Sequence, residues 1–239
     1  TSYTDSGALM NGISYYYVVR ATDAANSTAD TNTVEKSGAA TGPVSLSTLT
    51  ETFEGALSGG GFDNPGWTHQ AISGGVDWVW SVTQSQTPTH SWFSTSQTSI
   101  SDRALVTPVF GANANTTLSF WHTFNFEANA GATIFYDGGT LEYSTNGGAA
   151  WTVMPDANFT AGVFNATIST GFSNPIGGLR AWGGGTIGAM TQVTVNLASL
   201  AGNNVMLRWR EGDDSSAIGT GWFVDSVTIA NAGEASSCV

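Results

Sequence analysis

Positive charge is scarce in this chain. Its 239 residues hold six lysines and arginines against eighteen aspartates and glutamates, a formal net charge of −12. Such a field repels phosphate backbones and anionic bilayers, which argues against nucleic acid as a partner and against adsorption to membranes. Cysteine is nearly absent. Cys238 stands alone, so no disulfide can close within the chain; it reads either as a loose terminal thiol or as half of a bridge to a segment elsewhere. No apolar run approaches the ~18 residues of a membrane span, so no membrane insertion is expected. The first residues show no signal-peptide pattern and read as mid-structure, as in a mature fragment or a piece of a longer protein. Two catalytic signatures are also missing: there is no HExxH helix and no GxSxG elbow. His69, His90 and His122 are the only histidines, and none is at metal-ligand spacing. No catalytic residue is assigned.

What is present is alternation. Leu118–Ser119–Phe120–Trp121–His122, Thr140–Leu141–Glu142–Tyr143–Ser144 and Val205–Met206–Leu207–Arg208–Trp209–Arg210 alternate apolar with polar residues, the period of a half-buried strand. The pattern predicts strands at 49–54, 76–82, 91–94, 104–109, 115–124, 139–144, 150–155, 192–197, 204–211 and 221–230. Asn146–Gly147 predicts a tight type I′ hairpin turn. Leu197–Gly202 is one short helical turn at most. Ten short strands with turn-rich spacers and no helical periodicity predict an all-β fold, a jelly-roll β-sandwich over residues 49–230. The small, polar stretch 37–48 reads as a linker and 231–239 as a flexible tail. Residues 156–190 are glycine-rich with little alternation and read as a long functional or mobile loop. In residues 1–36, Tyr15–Ala21 predicts a strand, flanked by shorter ones at 2–5 and 32–34.

The order of these pieces resembles known families. Tyr15, six residues after Leu9 with Asn11–Gly12 between, is similar to a tyrosine corner, and residues 1–36 resemble the last three strands of a fibronectin type III domain. Beyond the linker, Phe53–Glu54, Trp67, Asp77–Trp78–Val79–Trp80, Ala104–Leu105–Val106–Thr107–Pro108, Leu118–His122, Gly139–Tyr143 and Trp222–Phe223–Val224–Asp225 follow the order of MAM-type jelly rolls. Thr89–His90–Ser91–Trp92–Phe93 and Tyr136–Asp137–Gly138–Gly139 bring the likeness nearest to the cleaved-adhesin domains of surface proteases and the C-terminal domains of secreted bacterial metallopeptidases. That resemblance implies a non-catalytic accessory domain, extracellular or at the cell surface, that binds a protein or glycan ligand or positions adjacent domains. It also implies structural calcium, with Glu54, Asp77 and Asp225 as ligands. Asp102, just before the Pro-terminated strand, is a fourth candidate. Calcium takes six to eight oxygens, so acids at neighbouring first and last strands suit it. The family's final strand often carries paired acids; here the second position is Ser226.

Other readings stay open beside this one. Glu127, Asp137 and Glu142 flank the central hairpin and could act as paired carboxylates on a glycoside, or be ordinary turn and strand acids. Glu211–Gly212–Asp213–Asp214 reads as a polar turn rather than a second calcium site. Trp121, Trp209 and Trp222 sit in apolar strands and read as core. Trp67, Trp78, Trp80, Trp92 and Trp182 lie in or near loops, where an exposed ring can stack on a sugar or anchor a partner. Trp182, Trp92 and Trp78 are the ligand-contact candidates, with Trp182 expected to be exposed. Two alternatives compete with the accessory domain: a subunit of an extracellular filament, its partial N-terminal domain (1–36) completed by a strand of a neighbouring subunit, and a carbohydrate-binding module or cryptic glycosidase.

Overall fold

Alternating side chains give each strand one face to bury, and the chain satisfies them by stacking two antiparallel sheets. A computed structural model describes residues 14–39, 47–57 and 59–233. In chain order its strands are β1 (Ser14–Val18), β2 (Glu35–Ala39), β3 (Ser47–Glu51), β4 (Thr68–Ser73), β5 (Val79–Ser81), β6 (Ser91–Thr95), β7 (Ser101–Val106), β8 (Phe110–Gly111), β9 (Thr117–Asn125), β10 (Gly138–Ser144), β11 (Thr152–Val153), β12 (Phe159–Ala161), β13 (Ala166–Thr167), β14 (Arg180–Ala181), β15 (Thr191–Asn196), β16 (Asn204–Asp213) and β17 (Gly221–Ala232). One sheet runs β11-β10-β16-β7-β4, with β8 also on β16. The other runs β12-β15-β9-β17-β6-β5, with β3 also on β17. The first and last strands of the sandwich, β3 and β17, are thus neighbours. The expected all-β jelly-roll sandwich is the observed fold.

The core lies between the sheets. Leu118 and Phe120 of β9, Trp222 and Val224 of β17, and Leu207 and Trp209 of β16 are all fully buried. Phe120 meets Trp209 edge-on across the gap, with centroids 5.2 Å apart, the geometry that ring quadrupoles favour. His122 lies in this core and accepts a hydrogen bond from the Trp222 indole N–H at 3.2 Å. Burial pushes its imidazole down to about 3, so it is a neutral core residue. Gly139 is required where it stands: a Cβ there would meet the Trp222 ring at 2.5 Å.

Several local expectations are corrected. Asn146–Gly147 is not a two-residue type I′ turn. The left-handed residues are Gly147 and Gly148, within a longer connection tied by the Ser144 hydroxyl and the Asn146 amide oxygen. The segment 156–190 is not one loop. It supplies β12, β13 and β14, and its backbone pairs Trp182 with Gly139. β4 was not expected: Thr68–Ser73 does not alternate, and all six of its residues are exposed.

At the N-terminal end, β1 and β2 form a separate antiparallel pair. β2 reaches Ala39, and residues 32–34 precede it without being a strand. β3 begins at Ser47, and β17 continues through Ala232, with Gly233 bridged to Gly111. The expected strand at 2–5, Leu9 of the tyrosine corner, linker residues 40–46 and Cys238 lie outside the described residues.

Candidate cation-binding site

Antiparallel register, rather than proximity in sequence, assembles the most unusual group of side chains. β10 begins beside the end of β16, with Gly138 opposite Gly212. Asp137 immediately precedes β10 and Asp214 immediately follows β16, so the two meet. Glu127 follows the end of β9, in the other sheet. Glu127, Asp137 and Asp214 each place one carboxylate oxygen within 4.8 Å of the other two. Asp137 and Asp214 are buried and Glu127 is half-buried.

The hydrogen bonds leave part of this group unmet. Asp137 Oδ1 accepts from the Asp214 N–H at 2.7 Å and from the Asn174 amide at 3.3 Å. Asp137 Oδ2 and Glu127 Oε2 are buried and have no partner. Among the described residues, no lysine, arginine or histidine pairs with any of the three acids. The buried guanidinium of Arg103 is committed to Glu211 at 2.7 Å and Asp213 at 2.9 Å. Burial, and after it the charges of Asp213, Asp214 and Glu127, push the Asp137 carboxyl up to about 8, against the opposing Asp214 N–H. Burial and the Asp214 charge raise Glu127 as well.

The four acids expected to hold calcium are placed differently. Asp225 lies at a β-bulge, where Ser226 adopts φ 50° and shifts the register of β17. Its carboxylate accepts the Gln86 N–H at 2.6 Å, the Thr87 N–H at 2.9 Å and the Thr87 hydroxyl at 3.1 Å, holding the loop before β6 against the sheet. Glu54 accepts the His90 N–H at 2.6 Å and lies 2.7 Å from His90 Nδ1. Asp77 pairs with His69 Nδ1 at 2.9 Å and accepts the Trp78 N–H at 2.7 Å. Asp102 takes the Arg210 guanidinium in a two-pronged pair at 2.8 and 2.7 Å. Each therefore faces donors, and no three of them converge. A further buried acid that the sequence reading did not single out, Glu51, accepts the N–H groups of Phe53, Asp63 and Asn64. Glu142, offered as a glycosidase acid, is paired with Arg208 and Arg210.

The aromatic candidates are also interior. Trp182 is only 2% exposed, a correction to its expected exposure. The glycine-rich segment returns it to the core, where it packs on Trp222 and His122 and donates to the Gly162 carbonyl at 2.9 Å. Trp92 and Trp78 are buried too. The loop-side indole that reaches solvent is Trp80, at 39% exposure. It is locked in place: its N–H donates to the Phe53 carbonyl at 2.7 Å, and its ring stacks on His90 with centroids 4.0 Å apart.

Two facing antiparallel sheets with polar groups gathered at strand ends and loops define a jelly-roll β-sandwich domain. The model of the Reelin subrepeat B family matches residues 78–230, and the chain belongs to that family. No curated protein matches the sequence. Among solved structures, the K1 cleaved adhesin domain of Lys-gingipain from Porphyromonas gingivalis is similar at 16% identity, with 80% of this chain and 99% of that one covered and a TM-score of 0.44. A xylan-binding domain is similar at 13% identity over 82% of this chain and 100% of that one, with a TM-score of 0.38. The glycoside hydrolase domain of Endo-D from Streptococcus pneumoniae is similar at 12% identity and a TM-score of 0.42; 69% of this chain is covered, but it spans only 22% of that chain. Likenesses at this level concern the fold. No helix among the described residues is long and apolar enough to cross a membrane.

Proposed function

We propose that this chain is a non-catalytic accessory domain of a secreted or cell-surface bacterial protein, in which it binds a protein or glycan ligand beside a hydrolase, most concretely a metallopeptidase. Residues 1–36 then belong to a fibronectin type III-like spacer, and residues 49–230 form the MAM-like binding domain. The observation that carries the reading is Trp80. A large planar ring already fixed by a hydrogen bond and a stack loses little freedom when a ligand covers it, which is what makes rigid aromatic residues effective binding anchors. The carboxylates around it clamp loops: Glu54 holds His90 under the indole, and Asp225 holds the preceding turn. They thereby keep the anchor in place.

A carbohydrate ligand is the second reading, favoured by the same feature, because an exposed indole suits the apolar face of a pyranose. One experiment separates the readings. The purified chain and its Trp80→Ala variant are titrated with xylan and β-1,4-galactan oligosaccharides and with gelatin as a protein surface. Binding to one class that weakens at least about tenfold in the variant, at unchanged melting temperature, supports the reading and names the ligand class. Binding that ignores the substitution, or release of reducing sugar from either glycan, contradicts it.

A further inference from the structure

At Glu54, Asp77, Asp102 and Asp225, where calcium is expected, each carboxylate faces donors of the protein itself. Each N–H aimed at a carboxylate oxygen takes up one of its lone pairs and points the positive end of a dipole at the place a cation would occupy. Asp102 already neutralises a guanidinium. Among the described residues, Glu127, Asp137 and Asp214 are the one group of three acids that converge; Asp137 Oδ1 and Asp214 Oδ1 accept N–H groups there, from Asp214 and from Ser216, but other oxygens of the group do not. There, carboxylates face one another, two of their buried oxygens lack any partner, and no basic side chain balances them.

We propose that Glu127, Asp137 and Asp214 bind one calcium ion, which ties the ends of β9, β10 and β16 together and so joins the two sheets. Three observations support this independently of the acidity of the group. First, two ligands of one ion lie at most twice the metal–oxygen distance apart, about 4.6–5.2 Å for calcium, and the three oxygens fall within 4.8 Å of one another. Second, Asp137 is fully buried, and its two oxygens have divided roles. Oδ1 is fixed by the Asp214 N–H, which orients the carboxylate and leaves Oδ2 for the ion. Third, the donor set is oxygen only, which suits a hard cation rather than zinc or copper. Calcium is preferred to magnesium because magnesium gives up its water shell reluctantly, and two of the three acids are buried.

The ligands come from separate parts of the chain. β9 lies in one sheet, β10 and β16 in the other, and Asn174 braces the group from the segment before β14, with its amide reaching Tyr136 O and Gly212 O at 2.8 Å each. A bound ion would therefore restrain elements that the hydrophobic core alone leaves adjoining at one end of the sandwich. Its binding energy adds to folding stability, because the unfolded chain has no such site.

The test uses the full 239-residue chain, stripped with EGTA and dialysed. Calcium titrated by calorimetry is expected to bind with a stoichiometry of about one. Terbium, an oxygen-seeking stand-in, is expected to show luminescence sensitised by nearby Tyr136 and to be displaced by calcium. Calcium at a hundredfold excess over Kd is expected to raise the melting temperature by about 5–10 °C relative to EGTA, and magnesium by much less. Asp137→Asn removes all three responses. Should that buried substitution fail to fold, the half-exposed Glu127→Gln does the same by a gentler change. Glu54→Gln retains them. The proposal is overturned if the wild-type chain shows neither a calcium shift nor terbium emission, which would mean that the acids share a proton only. Full responses in Glu127→Gln, responses lost in Glu54→Gln, or an equal response to magnesium would overturn it as well.

Discussion

Two sets of buried or half-buried acids occupy this sandwich, and they are solved in opposite ways. Around β3, β5 and β6, the carboxylates of Glu51, Glu54 and Asp225 each collect N–H donors from a loop, and Glu54 and Asp225 collect hydroxyl donors as well. At the ends of β9, β10 and β16, the carboxylates of Glu127, Asp137 and Asp214 point at one another. Both sets resist desolvation, but in the second two buried oxygens, Asp137 Oδ2 and Glu127 Oε2, have no protein donor. For Asp225, burial raises the carboxyl and the N–H groups of Thr87, Gln86 and Ser226 pull it back. For Asp137, burial is reinforced by three like charges. An acid can thus be structural in either sense, and what distinguishes the two is whether donors or other acids surround it. In the first set the donors themselves pin the loops to the sheet.

Substitutions can break this contrast at several points. The largest effect is expected at Arg103, whose guanidinium is buried against Glu211 and Asp213 beside the second set. Arg103→Met leaves two buried acids uncompensated and should lower stability by about 3–5 kcal/mol, whether or not calcium is present. Urea unfolding of both forms checks this; a loss under ~1 kcal/mol would mean that the buried pair is relieved by protonation or water. Next comes Asp225→Ala, which leaves the N–H groups of Gln86 and Thr87 without their acceptor. A loss of about 2–3 kcal/mol is expected, with the calcium-induced shift in melting temperature intact. A calcium response that disappeared in this variant would merge the two sets into one.

His122 sharpens the contrast from a third side, as a buried titratable group kept neutral rather than clamped or ion-bound. Burial holds its imidazole at about 3 in the folded chain, against an ordinary histidine value of 6.5. A depressed value means that the unfolded chain binds the proton first. The stabilisation is therefore complete above pH 6.5 and is lost as pH falls toward 3, at about 1.4 kcal/mol per pH unit. His122→Gln keeps an acceptor for the Trp222 indole and cannot titrate. The difference in pH slope between this variant and the parent, measured by urea unfolding from pH 7 to 4, should be about that size. Superimposable profiles would contradict it.

Much of the fold could be read from alternation. Each of the ten stretches expected as strands overlaps one, because strands that turn one face to an apolar core tend to alternate apolar with polar residues. β4 was missed because Thr68–Ser73 buries neither face and so has no period to detect. β13 and β14 were missed because two-residue pairings set in glycine leave almost no pattern, and Trp182 was misplaced with them. The bulge at Ser226 was visible only as a departure from paired acids. It lets Val224 and Val227 both turn inward, an effect of backbone conformation that residue type does not announce.

The candidate site was legible in fragments. Glu127 and Asp137 stood out as possible paired carboxylates, and Asp213–Asp214 as a polar turn, but nothing in the sequence joined them. What joins them is the register between β10 and β16 and the return of β9 in the facing sheet. The usable signal was positional: all three acids sit just beyond strand ends, and antiparallel neighbours bring the start of one strand beside the end of the next. The expectation of calcium at Glu54 and Asp225 rests on the adjacency of β3 and β17, which the structure shows. It could not foresee the backbone N–H groups that the loops aim at those carboxylates.

The most direct measurement is a crystal structure of the chain grown with calcium chloride, with the anomalous signal used to locate the ion. The account predicts one peak bounded by oxygens of Glu127, Asp137 and Asp214 at about 2.3–2.6 Å, with Glu54 and Asp225 still held by N–H donors. A peak coordinated by Glu54 or Asp225, or no peak beside Asp137, would contradict it.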